Sequence, residues 1–296
     1  MKNIFGILTL FLLSFCIQAQ DDENSTGLPG DHFSLEGALE LFKNAASPED
    51  FEKQLNSENN HVNNLDLNGD GDIDYIRVIS KVDKDIHLFI LQVPVSATEN
   101  QDIAVVEVEK TGKEEAILQI IGDEDIFGEE IIVEPSDGTD VEEEDGEKGP
   151  MYNREDAIVV VNVWAWPTVR YIYAPAYRPW VSPWRWGLYP TSWRPWRPLA
   201  WSVWHPFRIN HYRPTVRLVS THRVVRAHRI YKPVRVTSTT VRTRHATAHA
   251  NYKVNRTKTT VKGPRGNTAT KRTTTVRGPK GNVKAQKTTV RRGKKG

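Results

Sequence analysis

All 37 Asp and Glu residues of this 296-residue chain lie at or before Asp156, and none occurs from Ala157 to Gly296. The 40 Lys and Arg residues are divided the other way, ten before Ala157 and thirty after it. With Lys2 set apart in an N-terminal leader, nine cations face 37 anions over 21–156, a charge of −28. Residues 157–296 carry +30, so the overall +3 conceals the division. Such a chain does not read as one evenly mixed globule. It reads as an acidic body followed by a basic arm.

The leader, MKNIFGILTLFLLSFCIQAQ, has Lys2 at its start, an apolar run from Ile4 to Ile17, and then Gln18-Ala19-Gln20. That is the layout of a secretory signal peptide over 1–20, cleaved near Ala19 or Gln20. Its apolar run falls short of the roughly 20 residues that span a bilayer. An exported protein without a transmembrane span is therefore expected, in the periplasm, on the outer-membrane surface or outside the cell. Cys16 is the only cysteine and sits in the leader after Phe15, where lipidation would want a small residue. A mature chain without cysteine excludes disulfides, thiol catalysis and cysteine-bound zinc.

After a flexible leader segment at 21–32, residues 33–134 read as an acidic α+β domain. "FSLEGALELFKNA" places Leu35, Ala38, Leu39 and Phe42 on one helical face, with Ser34 as cap. A second helix opens on Ser47 and Pro48 and buries Phe51 and Leu55. "IDYIRVISKV" and "IHLFILQV" flank Asp83-Lys84-Asp85 as a hairpin, and "IAVVEVE" and "AILQII" flank Lys110-Thr111-Gly112-Lys113. "EIIV" at 130–133 adds a fifth strand. The expected fold is two short N-terminal helices packed on a small antiparallel sheet, followed by a largely irregular or disordered arm. Residues 135–156, rich in Glu, Asp and Gly, have almost nothing to bury and read as a linker.

The sharpest chemistry is "DLNGDGDID" at 66–74. Asp66, Asn68, Asp70, Asp72 and Asp74 offer oxygen at alternate positions around Gly71. Calcium takes six to eight oxygens at about 2.3–2.6 Å, and four carboxylates this close repel one another without a cation. A helix–loop–helix site would need a bidentate Glu at the twelfth position, where Arg77 stands, and Tyr75-Ile76-Arg77-Val78 is strand-like. The shorter D-x-N-x-D-G-x-x-D form remains, with these five residues as metal ligands and calcium in a structural role. The alternative is a metal-free turn whose side chains cap their own backbone.

The stretches "NNLDLNGDGDIDYIRV", "LFILQVPVS" and "QDIAVVEVEKTGKEEAILQIIGDEDIFGEEIIVEPSD", with "SPWRWGLYP" and "WRPWRP", resemble a family of exported proteins of Bacteroidetes-type bacteria. The loop itself also resembles those of integrin-type β-propellers. The resemblance covers about 35–205. It implies export and this domain layout, and it brings no established activity.

The segment 157–214 holds all nine tryptophans, from Trp164 to Trp204, among nine prolines and several arginines. Frequent proline disfavours helix interiors and central strands, so extended or turn-rich backbone is expected. Ala157–Trp166 reads as one further strand on the acidic domain. The rings either cover that domain or form a binding surface for cations, bases, sugars or a membrane boundary. Residues 215–296 are a basic Thr/Lys/Arg tail in which "TTVKGPRGN" from Thr259 recurs as "TTVRGPKGN" from Thr274. It reads as a flexible polycation, and its region's six histidines, His205 to His249, lack metal-site spacing.

Three functions compete. In the first, a calcium-stabilised acidic domain carries a basic aromatic arm that contacts an anionic polymer (lipopolysaccharide, polysaccharide or DNA) by counterion release, without a small-molecule substrate. In the second, the arm folds onto its own acidic half, and self-association is a variant of the same attraction. The third is a hydrolase, for which no nucleophile elbow, phosphate loop or His-x-x-x-His helix speaks.

Overall fold

The computed structural model describes residues 25–136, 160–212, 216–262, 268–277 and 283–293. The expected signal peptide, most of the linker, and segments 263–267 and 278–282 of the repeat lie outside the described residues. The fold is α+β, built on a six-stranded antiparallel sheet whose strands neighbour one another in chain order.

Local chemistry sets the first elements. Ser34 Oγ accepts the Gly37 N–H at 2.9 Å and opens α1 (Leu35–Asn44). Ser47 Oγ accepts the Asp50 N–H at 3.1 Å and opens α2 (Pro48–Leu55), with Pro48 where its missing N–H costs nothing. The Asp83↔Ile86 pairing closes β1 (Arg77–Asp83) onto β2 (Ile86–Pro94), with Lys84 at φ 55°. β3 (Asn100–Gly112) and β4 (Glu115–Gly122) follow as the next hairpin, and α3 (Glu124–Phe127) leads to β5 (Ile131–Pro135).

One core cluster joins Leu39, Phe42 and Phe51 of the helices to Val78, Phe89, Val106 and Leu118 of the sheet. The opposite face of the sheet has its own cluster, with Ile86, Leu88, Ile90, Val105 and Ile121. Every residue of β2 is buried. A strand apolar at both parities needs cover on both faces. Here the second cover comes from the basic arm, through Val224, Ala227 and Tyr231.

The arm is irregular over 173–200, as its prolines predict, but forms helices and strands elsewhere among its described residues. It contains α4 (Pro167–Ile172), α5 (Trp201–Tyr212), β6 (Val216–Val219), α6 (Val225–Tyr231), α7 (Thr239–Arg244) and α8 (Ala246–Asn251). Pro167 occupies the first turn of α4, where proline is tolerated, but Pro206 lies inside α5. The additional strand is β6, paired with β5 through Val133↔Leu218 and Glu134↔Arg217. It is not the 157–166 segment: among its described residues, Asn162 Oδ1 takes the Ala116 N–H at 3.1 Å, and Pro167 then turns the chain into α4. Beyond α8, β7 (Lys253–Lys262), β8 (Thr268–Arg277) and β9 (Val283–Gly293) form a separate three-stranded antiparallel sheet. Their first residues are fifteen apart, the period of the repeat, so each copy supplies one strand where a flexible polycation was expected.

Candidate functional site

The 66–74 loop precedes β1, and its oxygens point largely at its own backbone. Asp66 Oδ1 accepts the N–H groups of Gly69 at 2.6 Å and Asp70 at 3.1 Å, and Oδ2 accepts Gly71 at 3.0 Å. Gly69 (φ 72°) and Gly71 (φ 89°) are in the left-handed region, which lets consecutive amides turn toward one carboxylate. Asn68 Nδ2 donates to Asp70 Oδ2 at 2.9 Å and to Asp74 Oδ1 at 3.1 Å, while Asp74 Oδ2 accepts the Leu67 N–H at 2.6 Å. Four of the five candidate ligands, Asp66, Asn68, Asp70 and Asp74, are thus in one hydrogen-bonded group. Asp72 joins through its backbone N–H, 2.9 Å from Asp70 Oδ1, and is itself exposed.

Asp74 is buried, and burial together with the charges of Asp66 and Asp70 pushes its carboxyl up to about 7. A cation among these groups would relieve that repulsion, and an all-oxygen set suits a hard ion such as calcium. The Asn68 amide nitrogen bridges the Asp70 and Asp74 carboxylates, while its Oδ1 accepts the Asp70 N–H at 2.8 Å.

The arm closes over this loop. Ile73 donates its N–H to the Trp196 carbonyl at 2.8 Å, and a Cβ at Gly69 would fall 1.6 Å from Arg244 Nη1. Eight of the nine tryptophans are at least half-buried, Trp204 almost completely, and only Trp186 is exposed, at 38 %. The rings therefore cover the body more than they form an open surface.

Buried carboxylates of the body meet donors of the arm at several points. Glu52, 2 % exposed, accepts from Tyr75 Oη (2.9 Å), Val78 N (2.8 Å), Trp180 Nε1 (3.1 Å) and Ser182 Oγ (2.9 Å). Burial pushes its carboxyl up against the pull of those four donors. On either side, Ser80 N–H bonds the Trp180 carbonyl and Ser182 N–H the Val78 carbonyl, so 180–182 covers the outer edge of β1. Glu134 receives Arg217 Nε at 2.7 Å and Arg223 Nε at 2.8 Å. Arg235 grips Asp123 in bidentate fashion and reaches Asp125 at 2.8 Å and Glu124 at 3.2 Å. Asp102 accepts from Gln92 Nε2 (2.6 Å), the Val236 N–H (2.9 Å) and Tyr231 Oη (3.2 Å), and burial pushes it up to about 6.

No family model matches the chain, and neither a curated protein nor a solved structure is detectably similar to it. The site must be read from its own chemistry.

The sequence offered an arm folded onto its own acidic half as an alternative but did not name these contacts. Their signals were present: β2 is apolar at both parities, and Asp102, Glu107, Gln119 and Glu134 interrupt otherwise apolar strands. Polar residues buried there require partners, and only the arm had cations to spare.

Proposed function

We propose that this chain is an exported, non-catalytic structural module in which two short helices and the basic arm cover opposite faces of an acidic sheet. Calcium stiffens the 66–74 loop through Asp66, Asn68, Asp70, Asp72 and Asp74, and the terminal basic sheet contacts anionic polymer. The carrying observation is the pairing of buried acids with arm cations at Glu134 and Asp123. Fifteen of the thirty cations after Asp156 lie in 157–252, and several of these are spent on the body. The other fifteen fall in 253–296 without a single acid. Self-neutralisation and polyanion binding are then roles of successive parts of one arm. Among the described residues no helix is long and apolar enough to cross a membrane.

Lys and Arg at this density bind phosphate- or sulfate-bearing polymers with steep salt dependence and little sequence preference. The test is retention on a heparin column of the whole chain and of a chain ending at Tyr252. The whole chain should be retained and released by salt, and the shortened chain should pass through with its circular dichroism intact. Equal retention of both would move polymer binding to another surface and refute the assignment.

A further inference from the structure

On the sheet face covered by α6, three side chains gather that the functions above leave unused. Glu107 points from the middle of β3 and is fully buried. His222 precedes α6 and His228 lies within it. Among the described residues this is the one group of three His, Cys, Asp or Glu that brings a ligand atom from each within 4.8 Å of the others.

The unsatisfied atoms make the case. Neither carboxylate oxygen of Glu107 has a hydrogen-bond partner, and neither do Nδ1 of His222 or Nδ1 of His228. His228 Nδ1 makes an ion-pair contact with Glu107 Oε1 at 3.4 Å. Both Nε2 atoms face a different carboxylate, Glu130, at 3.4 Å from His222 and 3.7 Å from His228. Buried polar atoms left without partners are uncommon and call for an explanation, such as an unseen ion. Here the three side chains bring a ligand atom from each within 4.8 Å of the others, while the Nε2 atoms of both rings share one orienting acid. Metal-bound histidines have that arrangement: one nitrogen on the ion, the other donating to a carboxylate.

We propose that Glu107, His222 and His228 bind a divalent transition metal of the zinc class, with Glu130 orienting both imidazoles. Two nitrogens and a carboxylate are a zinc-type set, whereas calcium wants oxygen alone. Ligands at about 2.0–2.2 Å from a tetrahedral ion stand about 3.4 Å apart, the spacing already seen between His228 and Glu107. The partly exposed side chains of His222 and Glu130 give the ion a way in from solvent. Three protein ligands leave a fourth position for water. Glu107 belongs to the acidic sheet and both histidines to the arm, so the ion would cross-link the two. It is a second site, independent of the oxygen loop at 66–74.

The test is zinc titration of the full-length chain at neutral pH in excess calcium, followed by cobalt(II) substitution. One zinc per chain should remain after dialysis, and cobalt should give the intense visible absorption of a four-coordinate ion. E107Q, H222Q and H228Q should each weaken zinc by about tenfold or more, a loss that even an orienting partner can cause. H245Q, away from the group, should bind as the parent does. If E107Q fails to fold, the partly exposed His222 decides through H222Q. A parent chain that keeps no zinc, or H222Q and H228Q that bind it unchanged, would overturn the assignment and leave a plain Glu107–His228 ion pair.

Discussion

Glu52→Ala and Glu52→Gln should differ sharply, because the four donors on this carboxylate are of two kinds. Oε1 accepts from Tyr75 Oη and Ser182 Oγ, whereas Oε2 accepts from Val78 N and Trp180 Nε1. Hydroxyls can rotate and accept a bond from an amide, but backbone and indole N–H groups can only donate. Glutamine with its nitrogen on the Oε1 side and its oxygen on the Oε2 side therefore keeps all four contacts. It also removes a charge that burial disfavours. Its expected cost is within about 1 kcal/mol. Alanine leaves two N–H donors without an acceptor, at about 1–3 kcal/mol each, so a loss of about 3–5 kcal/mol is expected. Urea unfolding gives these numbers. Tryptophan emission reports whether residues 180–184 detach, and it should shift to the red in Glu52→Ala under native conditions. If Glu52→Gln is as damaging as Glu52→Ala, or Glu52→Ala is harmless, Glu52 does not hold the Trp/Pro segment to the body.

Three further outcomes concern an ion pair, a buried imidazole and the oxygen-rich loop. Arg235→Ala should cost about 3–5 kcal/mol, because it strands the buried Asp123 carboxylate, and it should speed tryptic cleavage within 217–244; unchanged stability and cleavage would contradict the pairing. His87, packed on Phe89, Tyr173 and Tyr177, is pushed down to about 4 by burial, so its contribution is present above 6.5 and lost as pH falls through 4. His87→Phe should accordingly gain up to about 3 kcal/mol on the parent between pH 7 and 4, and a pH-independent difference in unfolding free energy would refute this. Calorimetric titration should show a calcium site that Asp70→Ala abolishes, with calcium raising the melting temperature of the parent alone; a flat parent thermogram would leave the loop as a self-capped turn.

The parts of this fold that were legible in the sequence are local. Ser34 and Ser47 announce their helices because a cap acts within three residues, and Asp83-Lys84-Asp85 announces its hairpin because the turn joins adjacent strands. The arm was not legible, because its docking is long-range and partly indifferent to side chains. The Ser80–Trp180 and Ser182–Val78 bonds are backbone to backbone, and no pattern in "RPWVSPW" marks them. Proline density argued against helices, yet Pro167 sits at the tolerated first turn of α4 and Pro206 within α5. For the loop, the alternating donors and the alternative of a self-capped turn were both readable, but not which amides, those of Gly69, Asp70 and Gly71, Asp66 would take. His222 and His228 are six residues apart, about 240° round a helix and so not on one helical face, and no strand pattern surrounds them. Only the entry of the chain into α6 over Glu107 brings them together.

Amide hydrogen exchange across residues 216–244 of the intact chain tests most directly whether the basic arm is the second layer of the acidic sheet. The Val236 N–H on Asp102 and the Arg223 N–H on Gln119 should exchange far more slowly than in a free peptide, along with their neighbours in α6. That protection should extend to β2, which lies beneath. Free-peptide exchange rates throughout 216–244 would contradict the account.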